Sequence, residues 1–281
     1  MYEDIVIVSA TRQFLSSLDL PPSHNGQHML KVQHLAMQIF FQEAGNRYRH
    51  LRTENAILAG THDCSDPKVD ADGTKNKLHR EFLKKWSRID PEIALRIIKL
   101  SSFSGETRLR ENLLLRAKGE NIHEGSVEDR KLLLSKCDIS FRDVVEYRIN
   151  WPRYFCVHIG CSYFEAEDYA FLRQILSEAD KLESFDLYRC LMYGIEYAEK
   201  HSRSTRVTDL LMHVFSHCEE KLFYLYPYYY ETATGRDMAY TAAGKMLEQY
   251  ETLLGILRRT ADEDDNVLRR ELDDLMKDVH K

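Results

Sequence analysis

Apolar residues recur at helical spacing along almost the whole chain, and little interrupts them. From position 28, steps of four, seven, eight and eleven reach Val32, Leu35, Ala36 and Ile39, an apolar stripe down one helix face. Six prolines and twelve glycines are few for 281 residues, so the breaks that punctuate strand-rich chains are scarce. The expected fold class is all-α, with a first helix from Tyr2 to Leu18 ahead of the Pro21-Pro22 break. Further helices are expected near Gly26–Gly45, Leu51–Thr61, Lys75–Trp86, Pro91–Leu100, Glu165–Lys200, Thr205–Tyr226, Thr234–Arg259 and Glu263–His280. Ser23 or Asn25 is available to cap the second of these, and residues 66 to 74, rich in Asp, Pro and Gly, read as a polar loop.

Polar residues placed on those apolar faces are the second constraint. His28 heads the stripe just described. His62-Asp63 follows the small and apolar run Ala56-Ile57-Leu58-Ala59-Gly60, in which Gly60 leaves room for close backbone approach. Asp180 shares its helical face with Leu176, Leu187 and Leu191. An imidazole or carboxylate turned inward costs desolvation free energy unless something offsets it, and a metal ion is the usual answer. Two histidines and two aspartates suit one catalytic divalent ion (Mn, Mg, Fe or Co) with open positions for water, whereas a closed zinc site favours cysteines. Each residue alone has a plainer reading: a satisfied core histidine, a chance dipeptide, a solvent-facing aspartate.

Taken together, these segments resemble the HD-domain metal-dependent phosphohydrolases, and most closely the small HD nucleotide pyrophosphohydrolases. The resemblance is carried by Ser23 to Ala36 (Ser-His-x-x-x-His-x-x-Lys-Val-x-x-Leu-Ala) and by His62-Asp63-Cys64-Ser65-Asp66-Pro67-Lys68. It continues through Ser102-Phe103-Ser104, Ala179-Asp180-Lys181-Leu182, Lys221-Leu222 and Thr232 to Ala239, in the family's order. Glu178 departs from it, standing where the family has an aspartate, as does Ser184-Phe185-Asp186 in place of smaller residues. The interval between Phe103 and Ile175 is also much longer than in the family.

The resemblance implies a single HD-type helical bundle over 1–281, with residues 105–170 as an insertion or lid-like subdomain. It also implies a metal held by His28, His62, Asp63 and Asp180, with Asp143 as the fallback for the last ligand. Asp66 is expected to handle the nucleophilic water, with Lys68 beside it in the catalytic role. Lys31, His24 and Lys181 are expected to meet the substrate phosphates. The implied reaction is hydrolysis of a nucleotide or other small phosphorylated substrate, foremost the release of pyrophosphate from a nucleoside triphosphate. A non-catalytic nucleotide-binding or interaction protein on the same fold, and a phosphodiesterase on cyclic or oligonucleotide substrates, are the alternatives.

A net charge of −6 argues against general binding of nucleic-acid duplexes; a small phosphorylated substrate needs only a few local cations. Six scattered cysteines without a Cys-x-x-Cys pair fit reduced thiols. Ile5-Val6-Ile7-Val8 is too short for a signal peptide or membrane span, so a cytoplasmic location with no membrane partner is expected. The aromatic run from Phe223 to Tyr230 reads as sealing a core or a homo-oligomer contact. His213 and His217, four apart on a helix, read as structural because no glutamate motif accompanies them.

Overall fold

The computed structural model describes residues 2–20, 25–66, 70, 72–120, 127–191, 194, 206–260 and 265–279. Among these the chain is all helical, without a strand. It divides into two compact units, residues 1–181 with 231–235, and residues 182–230 with 236–281.

In the first unit, α1 (Tyr2–Ser16), α2 (Gly26–Glu43) and α3 (Arg52–Thr61) pack on one another. Asn25 starts α2, its side chain accepting a hydrogen bond from the His28 backbone N–H at 3.0 Å. The stripe read from the sequence is the buried face, with Val32, Ala36 and Ile39 fully inaccessible. Helix α3 is buried nearly all round, from Glu54 to Thr61. A Cβ on Gly60 would lie 2.5 Å from Gln33 Nε2 and 2.7 Å from Thr11 Cγ2, so glycine is what lets α1 and α2 approach α3. Gln33 uses that closeness to donate to the Ala56 carbonyl at 2.7 Å. Buried Glu54 accepts from the Ser87 hydroxyl and the Arg88 N–H, tying α3 to the end of the next helix.

Helices α4 (Thr74–Trp86), α5 (Pro91–Ser101) and α6 (Phe103–Ala117) follow in contact, each with its neighbour. Asp90 caps α5 with Pro91 in its first turn, and Ser102 caps α6. Helices α7 (Val127–Lys136) and α8 (Phe141–Glu146) pack on α6 around a small core of Leu115, Ile139 and Val144. Next come α9 (Trp151–Ile159), closed by Gly160 in the left-handed conformation, and α10 (Tyr163–Glu183).

Residues 231–235 join the first unit through Glu178, a buried residue of α10. Its carboxylate accepts from the backbone N–H groups of Glu231 (2.6 Å) and Thr232 (2.9 Å), the Thr232 hydroxyl and the Gln174 amide. A side chain at Gly235 would collide with that carboxylate. The departure noted at Glu178 therefore has a structural occupation: the longer acid reaches this turn.

The second unit contains α11 (Val207–His217), α12 (Phe223–Tyr229), most of α13 (Ala233–Arg259) and α14 (Asp265–Val279). Two helices expected to be continuous are interrupted. The helix expected over Glu165–Lys200 stops at Glu183, and a turn follows in which Asp186 accepts from the Arg189 N–H at 3.3 Å and restarts helical structure at Leu187. The helix expected over Thr205–Tyr226 widens into a π-helical stretch over Cys218–Leu222 before α12. Within this unit Tyr230 stacks near Phe185, and Phe215 and Phe223 both meet Tyr250. No helix among the described residues is long and apolar enough to cross a membrane.

Candidate metal centre

Three separate stretches of the first unit bring His28, His62, Asp63 and Asp180 together. His28 is the third residue of α2, His62 and Asp63 stand in the turn that ends α3, and Asp180 lies near the end of α10. His28 Nε2 is 3.3 Å from Asp63 Oδ2 and 3.8 Å from Asp180 Oδ1. His62 Nε2 is 3.5 Å from Asp63 Oδ1 and 3.4 Å from Asp180 Oδ1. Ligand atoms of His28, His62 and Asp180 all lie within 4.8 Å of one another, a grouping that could hold a metal ion.

Three of these four separations are close to donor spacings around an ion, and the fourth, at 3.8 Å, is longer. With metal–ligand bonds of about 2.1 Å, neighbouring donors around one cation stand about 3.0 Å apart in octahedral and about 3.4 Å apart in tetrahedral geometry. His62 adds a second sign. Its Nδ1 sits 2.9 Å from the Ala59 carbonyl, which leaves the buried Nε2 facing the Asp63 and Asp180 carboxylates at 3.5 and 3.4 Å. Carboxylates gathered on one buried nitrogen favour positive charge between them. The imidazoles are 8% and 6% exposed, while the Asp63 and Asp180 side chains are 18% and 24% exposed. The cluster thus opens to solvent on its carboxylate side.

The electrostatics call for positive charge at the same point. Burial would lower the pKa of His62, yet Asp63, the hydrogen bond to Asp180 and the Ala59 carbonyl together raise it to about 9. Burial would raise that of Asp180, but His62, His28 and Lys181 hold it well below the usual carboxylate range. A proton on His62 partly does what a divalent ion would do better.

The other expected site residues have different surroundings. Asp66 is half-buried one turn past His62; its N–H donates to the Asp63 carbonyl at 3.1 Å, so it continues the ligand-bearing turn. Lys31 is exposed on α2. His24 and Lys68 lie outside the described residues. Asp143 is exposed in α8 and accepts from the Ser140 N–H (2.7 Å) and hydroxyl (2.5 Å), closing a capping box on its own helix. Asp180, and not Asp143, joins the two histidines.

Lys181 requires a correction. Expected to meet substrate phosphate, it is only 1% exposed and holds the Ser101 carbonyl (3.0 Å), Glu106 Oε2 (3.2 Å) and the Ser177 hydroxyl. Glu106, equally buried, also receives Arg173 Nη2 at 3.0 Å and Arg110 Nη2 at 2.6 Å, and Arg173 lies 3.8 Å over the Trp151 ring. Burial would raise the Glu106 pKa, but Arg173, Lys181 and Arg110 bring it down to about 2. This network joins α5, α6 and α10 beside Asp180. No local pattern in the sequence marks it, because its members lie up to 80 residues apart.

His79, absent from the motifs singled out in the sequence, borders the turn that carries His62 and Asp63. On α4 it is fully buried, with Nε2 2.9 Å from Thr61 Oγ1 and Nδ1 2.6 Å from Ser65 Oγ. Burial, then the charges of His62 and Arg80, push its pKa down to about 3. The available signal was the stripe logic used for His28, since steps of three and four from His79 reach Phe82 and Leu83. Comparison with protein-family models, with curated proteins and with solved structures found no match.

Proposed function

We propose that the chain is a metal-dependent phosphohydrolase of the HD type, acting on a nucleotide or another small phosphorylated substrate. The observation that carries this reading is the acceptor-rich convergence of His28, His62, Asp63 and Asp180, buried on the imidazole side and open on the carboxylate side. When bound there, a Mn, Mg, Fe or Co ion would supply an acidified water and draw charge from a phosphoryl oxygen.

The chain's own residues would do the rest. His28 and His62 present nitrogen donors from rings whose positions are set by packing. Asp63 and Asp180 supply the negative charge that makes the site favour a cation. Asp66, one turn beyond His62, takes the proton of the attacking water. Lys31, Lys68 and His24 give the substrate phosphates mobile positive charge and hydrogen-bond donors. For a nucleoside triphosphate, water adds at the α-phosphorus and pyrophosphate leaves, giving the monophosphate.

The test is product analysis on a panel of nucleoside triphosphates with Mn or Mg. Pyrophosphate and monophosphate are the expected products, and Asp63→Ala is expected to lower turnover about a thousandfold, about 4 kcal/mol of barrier. Ring opening of cyclic nucleotides or shortening of oligonucleotides would instead assign a phosphodiesterase. Nucleotide binding without turnover in every metal would overturn the enzymatic reading.

A further inference from the structure

His79 belongs to neither the ligand set nor the expected substrate contacts, yet its ring spans the turn that carries two of the ligands. Thr61 immediately precedes His62, and Ser65 stands two residues beyond Asp63. The ring bonds both, from a helix that contributes no ligand. Phe14, 6.2 Å away between ring centroids, and the Phe14–Phe82 stack at 4.4 Å pack beside it.

Hydrogen-bond roles at the ring are determined by its partners. The Thr61 hydroxyl spends its one proton on the Ile57 carbonyl, at 2.9 Å, so toward His79 it can only accept. Nε2 therefore carries the hydrogen. In the neutral ring that complete burial favours, Nδ1 is then the acceptor for the Ser65 hydroxyl. One imidazole thus donates to the residue before the ligand pair and accepts from a residue after it.

The turn is also held by its own backbone and by Cys64, buried against Leu15 and Met29. Its backbone bonds run from the Cys64 N–H to the Thr61 carbonyl and from the Asp66 N–H to the Asp63 carbonyl, both 3.1 Å and both local. The bridge from α4 adds two hydrogen bonds from outside α3 to either side of the ligand pair, and ligand direction has to be held within about 10–20° for a site to work.

We infer that His79 is a positioning residue for the metal centre: its ring locks Thr61 and Ser65, and through them sets the directions of His62 and Asp63. This rests on the metal reading proposed above. His79 acts on the geometry of the ligands and touches neither ion nor substrate.

The experiment measures Mn(II) affinity by electron paramagnetic resonance and the visible spectrum of the Co(II)-loaded protein, alongside circular dichroism and the melting temperature. His79→Phe keeps ring shape and removes both bonds. His79→Gln offers an amide N–H and a carbonyl oxygen at nearly the spacing of the two ring nitrogens. Folded His79→Phe is expected to bind Mn(II) about 10- to 100-fold more weakly, in the range seen for outer-shell partners of metal ligands. Its Co(II) bands are expected to shift, and His79→Gln to recover most of the affinity. If His79→Phe does not fold, Thr61→Val and Ser65→Ala each remove one bond and are expected to weaken Mn(II) binding by smaller factors. Parental affinity and an unchanged Co(II) spectrum in folded His79→Phe, or in both single-bond variants, would overturn the positioning role while leaving the metal reading standing. Failure of the parent protein to bind Mn(II) would overturn the metal reading, and the positioning role with it.

Discussion

Asp180 and Lys181 are neighbours on α10, yet they belong to two buried polar clusters of opposite character. Around Lys181, three cations converge on Glu106, and carbonyl and hydroxyl oxygens take up further hydrogens. Around Asp180 the groups are two imidazoles and a second carboxylate, Asp63, and ligand atoms of His28, His62 and Asp180 lie close enough to meet one ion. The first cluster is closed, its members 2% exposed or less. The second reaches solvent through its carboxylates. Cations gathered on one buried carboxylate, closed to water, fit a structural role, whereas carboxylates and imidazoles gathered with access to solvent could receive a cation. Successive helix residues point about 100° apart, which is how one helix serves both.

That contrast can be broken most forcefully at Glu106. Glu106→Gln leaves buried cations without their carboxylate and is expected to cost about 3–5 kcal/mol of stability. Denaturant unfolding measures it; a loss below about 1 kcal/mol would show that the network is not what holds α5, α6 and α10 together.

Acid sharpens the same point. Glu106 titrates at about 2 in the folded protein against 4.5 ordinarily, so its contribution is complete above pH 4.5 and is lost as pH falls through about 2. The loss is expected to be about 3 kcal/mol. Unfolding at pH 5 and at pH 2.5 should differ less in Glu106→Gln than in the parent by a comparable amount. His79, lowered to about 3, acts in the same direction: the unfolded chain takes up its proton below 6.5 and the fold does not.

The open cluster should respond to metal where the closed one does not. A divalent ion at about 100 times its Kd is expected to stabilise the fold by about 2.7 kcal/mol, reversed by chelation. Glu106→Gln should keep this increment if it folds, and Asp180→Ala should lose it. Smallest of the expected effects is Asp143→Ala, which removes one half of the capping box with Ser140 and leaves metal binding unchanged.

What could be read from the sequence follows the range of the interactions involved. His28 was legible because it sits on an apolar stripe of its own helix, complete within a dozen residues, whereas of the stripe read for Asp180 only Leu176 lies on α10. The break after Glu183 was less legible, since apolar spacing runs on through Phe185, Leu187 and Leu191, while Asp186 accepts from the Arg189 N–H where helical structure restarts. Lys181 was misread because a lysine between acidic neighbours ordinarily faces water. Its burial depends on Glu106 and Ser101, which no local pattern connects to it. His79 carried a local signal, the apolar residues one turn on, but its meaning came from Thr61 and Ser65 on another part of the chain.

The central claim is that four side chains from three distant stretches share one ion. Equilibrium dialysis against Mn(II), with elemental analysis, tests it directly in the parent, Asp180→Ala and Asp143→Ala. One ion per chain in the parent and in Asp143→Ala, with none in Asp180→Ala, is the predicted result. No ion in the parent, or equal occupancy in Asp180→Ala, would contradict it.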